Sequence, residues 1–191
     1  MTATVGRTKR AEALPADERR AMIIEATLPL LLRHGEMVTT RLIAEAAGIA
    51  EGTIFRVFAD KDELIAAVVE HATDPAPFEQ SLAAIDLELP FEDAVTEAVR
   101  LLQRRTLVVA RLMAAVGPRF HRKGPIPDRP GLVALFAAHR DRITVEPTAA
   151  ARWLAALTMS TSHPMIATEL LPAERIAALF LHGIGNEERP C

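Results

Sequence analysis

Between Val38 and Leu64 the chain reads V-T-T-R-L-I-A-E-A-A-G-I-A-E-G-T-I-F-R-V-F-A-D-K-D-E-L. Its polar side chains are of types that recognise hydrogen-bonding groups rather than break covalent bonds. Arg41 can pair bidentately with O6 and N7 of a guanine, or with a phosphate. Thr40 can donate to a phosphate or cap a helix. Glu51 can accept from N4 of a cytosine, or simply complement a helix dipole. Ala50 can touch a thymine methyl, Gly52 lets a backbone come close, and Arg56 adds a cation. Catalytic constellations are missing: the chain holds no H-E-x-x-H, C-x-x-C, P-loop, G-x-G-x-x-G or G-x-S-x-G spacing, and its six histidines are scattered. No catalytic residue, metal site or cofactor is expected.

These side chains need two short helices and a tight turn to present them. Thr39 or Thr40 can cap a helix whose inward residues, Ile43 and Ala47, are four apart in sequence. Gly48 ends it, because glycine takes a left-handed backbone at little steric cost. A second short helix carries Ile54 and Phe58. Asp60 can then accept from the Glu63 amide while the Glu63 side chain reaches back, which starts a third helix. Two small amphipathic helices around a glycine turn make a helix-turn-helix, with a second helix short enough to enter a DNA major groove.

The run Thr39–Leu64 resembles the DNA-binding signature of the tetracycline-repressor (TetR) family of bacterial regulators. The match is dense over that run and weaker over Glu18–Gly35; further on, it rests on helix pattern, length and the tail. The resemblance implies an all-α fold of about nine helices: an N-terminal three-helix helix-turn-helix domain and a C-terminal bundle that includes dimerisation helices. It implies a transcriptional regulator acting as a homodimeric repressor, released from a palindromic double-stranded DNA operator by a small effector, and the low aromatic and high aliphatic content points to a lipophilic one. Thr53 and Lys61 are carried over from the family as phosphate contacts. Three positions depart from it: Phe55 stands where a phosphate-binding Tyr is usual, Val57 where a His is usual, and Ala50 where a Ser-type cap is common. Other readings are an all-helical dimerisation or adaptor module without DNA binding, and an enzyme of unrecognised type.

Half of the 191 residues are hydrophobic, only 4% are aromatic and none is Tyr, a balance that favours helices over sheets. The net charge of −3 is not that of a generally basic nucleic-acid binder. Met1–Thr73 holds nine Lys and Arg against eleven Asp and Glu, a difference of −2, so DNA contact has to come from locally placed cations. The one cysteine, Cys191, cannot form an intrachain disulfide and suits a reducing compartment. The N-terminus lacks the apolar run of a signal peptide, and no stretch approaches the roughly 20 apolar residues that span a bilayer. A soluble, cytoplasmic protein without membrane contact is expected.

Three regions follow from the punctuation. Residues 1–14 form a basic arm with Arg7, Lys9 and Arg10. Residues 15–73 hold the helix-turn-helix domain and its connecting helix, and residues 74–191 hold effector binding and dimerisation. The first helix runs from Pro15–Asp17 to His34, with Ile23, Ala26, Leu30 and Leu31 inward and a kink at Pro29. After Asp74-Pro75-Ala76-Pro77, helices are expected over Phe78–Ile85, Phe91–Val116, Leu132–Ile143, Pro147–Ser160 and from Pro172 or Ala173 to His182. Gly117–Gly131, with Arg119, His121, Arg122, Lys123 and Arg129, is an irregular connection, either a solvated loop or a flap over a ligand. The dimer face is assigned to Ala151, Leu154, Ala155 and Thr158 with Ile176, Leu179 and Phe180. Arg104, Met113, Met159 and His163 are candidate effector-pocket residues.

Overall fold

The computed structural model describes residues 15–118 and 128–184. Nine α-helices run through them: α1 Ala16–His34, α2 Thr40–Ala47, α3 Glu51–Ile54, α4 Lys61–Thr73, α5 Ala76–Ala83, α6 Phe91–Val116, α7 Pro130–Ala138, α8 Pro147–Ser162 and α9 Ala173–Ile184. The architecture is all-α, as the sequence implies. Arg7, Lys9 and Arg10, the loop residues Arg119, His121, Arg122 and Lys123, and Cys191 lie outside the described residues. The chain divides into two compact units, Met1–Val68 and Val69–Cys191, and α4 runs out of the first into the second. No helix among the described residues is long and apolar enough to cross a membrane.

In the first unit, α1 starts after Pro15 and passes through Pro29 without ending. It stops at Gly35, whose φ of 56° is costly for any residue with a Cβ and whose N–H bonds to the Leu31 carbonyl. Its buried stripe is Ile23, Ile24, Thr27 and Leu31, whereas Ala26 and Leu30 are only half-buried. The stripe is therefore rotated from the expected one. Thr27 can sit inside because its hydroxyl donates to the Ile23 carbonyl at 2.6 Å, which satisfies the polar group within its own helix. Val38, Ile43, Ile54, Phe58, Leu64, Ile65 and Val68 complete this core.

Thr39 is the cap of α2, its hydroxyl accepting from the Leu42 N–H at 3.2 Å. Gly48 closes α2 at φ 65°. Helix α3 is shorter than the spacing of Ile54 and Phe58 predicts. It gives way to a turn over Phe55–Val57, in which the Arg56 and Val57 amides bond three residues back, to Thr53 and Ile54. Phe58 still donates to the Ile54 carbonyl at 2.9 Å, so both side chains stay in the core although the helix between them tightens.

The second unit is built on α6, against which α8 and α9 pack, while α7 packs on α5 and α8. Helix α5 begins at Ala76 rather than Phe78, since Pro75 presets the first turn and the Asp74 carboxylate accepts from the Ala76 N–H. Helix α7 starts at Pro130 and stops at Ala138, before a short 3-10 turn at Arg140–Arg142. Arg105 of α6 holds the end of α4 by donating to the carbonyls of Ala72 at 2.7 Å and Asp74 at 3.0 Å. Burial first, and then the neighbouring Arg129 charge, push its guanidinium below the ordinary value. Both cations lie near the Phe78 ring, Arg105 at 5.7 Å and Arg129 at 5.0 Å from its centroid.

The assignment of the dimer face needs correction. Ala151, Leu154, Ala155, Thr158, Ile176 and Phe180 are all buried inside their own bundle, so they cannot present a surface to a second chain. The apolar stripe read as a dimer face is the stripe that α8 and α9 turn toward α6. Leu179 differs, at 44% exposed, and Trp153 on α8 is 51% exposed. The candidate effector residues lie on α6 (Arg104, Met113), on α8 (Met159) and just beyond its end (His163). Arg104 is on the surface, 4.0 Å from Glu97, and the His163 ring accepts from the Met165 N–H beyond the end of α8. Met113 and Met159 are half-buried. A cleft of about 330 Å³ lies elsewhere, with Asp128, Arg129, Val133, Thr148, Arg152 and Trp153 in its walls, and none of the four borders it.

Gly131 lies at a close crossing of α7 and α5. A Cβ built there would lie 2.6 Å from the Leu82 Cβ and 3.0 Å from the Ala83 nitrogen, neither of which can swing away. Gly131→Ala should therefore cost about 1–3 kcal/mol through overpacking of α7 on α5. The melting temperature of the purified chain measures this directly, and an unchanged value would show that the two helices can separate freely.

Candidate nucleic-acid interface

The residues singled out in the sequence sit on the start of α2, on α3 and its following turn, and on the start of α4. A one-turn helix cannot hold its own position, and here it is braced from several sides. The buried Ile54 anchors it, and Phe58 follows as the next anchor. Arg20 of α1 lies 4.3 Å from the Phe58 ring centroid and reaches the Val57 carbonyl at 3.4 Å and Glu63 at 3.5 Å. Lys61 donates to the Glu36 carbonyl at 2.9 Å. Thr40 of α2 donates to the Glu51 carboxylate of α3, a charge-assisted hydrogen bond. Sequence pattern did not single out Arg20 or Glu36, because their partners are 25 to 43 residues distant.

The start of α4 is capped at two points. The Asp60 carboxylate accepts from the Glu63 N–H at 2.8 Å, as the spacing predicts. The Glu63 side chain reaches back one residue further than a standard capping box, to the Ala59 N–H at 2.6 Å. Ala50, by contrast, precedes α3 with no side-chain cap.

Exposure separates the candidates. Ala50, Glu51, Gly52, Phe55 and Arg56 are exposed, and Thr40, Thr53 and Lys61 are half-buried. A Cβ on Gly52 would meet nothing within 4 Å, so the space before it is open. Phe55, at 51% exposed, points out of the core rather than joining Ile54 and Phe58. Arg41 is highly exposed but lies 3.1 Å from Glu45 one turn along α2. Such an exposed pair is worth about 0.5 kcal/mol and would yield readily to a phosphate or a base. The Arg56 side chain has no hydrogen-bond or ionic partner among the described residues, leaving a cation on the surface of the turn.

The family described as bacterial regulatory proteins, tetR family, matches over residues 23–68, from the middle of α1 into α4. Residues 23–68 form a tetR-family regulatory domain. Over 84 residues the chain is 26% identical to the uncharacterized HTH-type transcriptional regulator MT0489 of Mycobacterium tuberculosis, a match covering 44% of this chain and 36% of that protein. The alignment thus spans little more than a third of the curated relative. The likeness of the fold to solved structures extends over most of the chain. A regulator structure from Mesorhizobium loti is 19% identical with a TM-score of 0.60, covering 91% of this chain and 100% of its own. One from Rhodococcus sp. RHA1 is 21% identical with a TM-score of 0.59, covering 86% and 97%. NalD of Pseudomonas aeruginosa, the secondary repressor of the MexAB-OprM multidrug efflux pump, is 21% identical with a TM-score of 0.51, covering 90% and 99%.

Within the tetR-family domain, the link from α3 to α4 depends on the cap at Asp60. Asp60→Ala should remove about 1 kcal/mol of stability by freeing the Glu63 amide. Thermal unfolding of the mutant reads the loss, and a melting temperature equal to wild type would mean that Glu63 and Lys61 hold the turn without the cap.

Proposed function

We propose that the protein is a transcriptional regulator that binds a palindromic operator as a homodimer, represses from it, and is released by a small lipophilic effector. The observation carrying this reading is the braced α2–α3 pair within the tetR-family match. It exposes Ala50, Glu51, Gly52, Phe55 and Arg56 on one short helix and its turn, with Arg41 at the start of α2. Arg41 is assigned to a guanine or a phosphate, Ala50 and Gly52 to close approach in the major groove, and Thr53, Arg56 and Lys61 to phosphates. The repressor reading is favoured by likeness to a fold that NalD, a repressor, also adopts.

For the dimer, the outward strip of α8 and α9 replaces the buried one. Trp153 on α8 and Leu179 on α9 are its large apolar members, and Ala156 and Ser160 are exposed on α8 near Trp153 in sequence. A twofold pairing would close this strip on itself. Trp153 also borders the cleft beside α7, so an effector held there would alter the surface that the two protomers share. Release from DNA then follows as a population shift, provided the effector favours the dimer geometry that does not fit the operator.

The faces of α8 separate a dimer contact from a core contact. Trp153→Glu should convert dimer to monomer in sedimentation equilibrium at micromolar concentration while leaving the melting cooperative. Leu154→Glu should instead abolish folding, because it places a charge in the bundle core. A monomeric wild type, or a dimer unaffected by Trp153→Glu, would remove the proposed face.

Mobility shift on sheared genomic DNA tests the binding itself. A retained complex that weakens as salt rises is expected, whereas an adaptor module or an enzyme of another kind would retain none. On the same assay, Phe55→Tyr should tighten operator and non-operator duplexes alike, by roughly 1.5–3 kcal/mol if the new hydroxyl meets a phosphate. Its melting temperature should not change, since the ring is already in solvent. No gain on either duplex would place Phe55 away from the DNA.

A further inference from the structure

We propose that Glu51 selects a cytosine in the operator half-site and that Thr40 is the positioning residue that aims its carboxylate. This rests on the DNA-binding reading above. The Thr40 hydroxyl on α2 donates to one oxygen, Oε1, of Glu51 on α3, although the two residues are 11 apart in sequence. The other oxygen, Oε2, has no partner among the described residues, and the side chain is exposed. Glu51 takes part in no ion pair there, and the nearby cation of α2, Arg41, is held by Glu45.

A fixed carboxylate on a DNA-facing helix is electrostatically unfavourable beside phosphates. Complementing the dipole of α3 does not require it to be aimed, because that interaction depends on charge and distance alone. An aimed carboxylate is an acceptor with no donor of its own, so it can only read a base that donates. Major-groove edges offer two such groups, N4–H of cytosine and N6–H of adenine. Adenine sets its N7 lone pair on the outer side of N6, where it would face the charged oxygens of Glu51. Cytosine has only C5–H on that side of N4, and the paired guanine O6 on the other side is already bonded to N4, so cytosine is the base that fits better. The neighbours leave room for it: Ala50 has a single methyl, and the space in front of Gly52 is open.

Selection of bound duplexes from a library with randomised half-sites, using the full chain, tests the assignment. Wild type should prefer cytosine at one position per half-site by about tenfold over other bases. Glu51→Gln supplies one acceptor and one donor, the pattern that matches N6 and N7 of adenine, so the preferred base there should change from cytosine to adenine. Thr40→Val keeps the shape of the side chain without its hydroxyl. It should lose several-fold of the preference at that position only, and Thr40→Ser should restore it.

If Glu51→Gln selects the same half-sites with the same discrimination, Glu51 does not read a base. If Thr40→Val lowers the melting temperature and weakens all duplexes evenly with the cytosine preference intact, the hydroxyl is only a brace between α2 and α3. If the wild type binds duplexes strongly but shows no cytosine preference, this inference fails and DNA binding stands. If the chain retains no duplex in the mobility-shift assay, DNA binding fails and takes this inference with it.

Discussion

One turn of helix closes too few backbone bonds to offset the ordering of its residues, and α3 is four residues long. Everything on the candidate DNA surface depends on holding that turn. The buried Ile54 supplies the anchor, and Phe58 fixes where the chain leaves it. Around them, ties from three other helices close the position: Arg20 from α1, Thr40 from α2, and Glu63 from the first turn of α4. The exposed residues gain a fixed geometry from neighbours that never need to touch a ligand. This is how a short element presents side chains accurately, since precision comes from the packing behind it rather than from the helix itself.

Charge in this unit is arranged locally. Acids outnumber bases over Met1–Thr73, and several of the acids serve the fold. Asp60 and Glu63 satisfy the orphan amides at the start of α4, and Glu45 pairs with Arg41. Counting formal charges therefore understates what a phosphate backbone would meet. The cation of Arg56 is unpaired among the described residues, and the Arg41 pair is exposed enough to exchange partners at little cost. A surface of this kind would depend more on a few placed contacts than on a broad positive field.

The second unit solves a different problem, that of burying long helices against one another. Close approach at Gly131 brings α7 onto α5, and the α8 and α9 stripes cover α6. Arg105 shows how a charged side chain becomes part of such a structure: it sits beside the Phe78 ring and spends its donors on the last carbonyls of α4 and the residue after it. Those carbonyls have no helical partner of their own, so cation and helix end satisfy one another.

Much of the architecture was legible in the chain because it is written in local chemistry. Gly35 and Gly48 adopt the positive φ that stops α1 and α2. Pro147 opens α8 as its place in the sequence predicts, and the 26 residues of α6 run between the limits their periodicity predicts, whereas α5 and α7 each start two residues before the expected Phe78 and Leu132. Only the tertiary structure decided which side of each helix faces inward. Periodicity reveals that α8 and α9 have an apolar stripe, but the same stripe can cover α6 or meet a second chain, and burial alone distinguishes the two. The rotated stripe of α1 has the same origin, since Thr27 becomes a core residue only once its hydroxyl finds the Ile23 carbonyl. Thr40 and Glu51 each read as a separate DNA contact in the sequence; their hydrogen bond exists because the Gly48 turn brings α2 and α3 together, and no spacing rule encodes that distance.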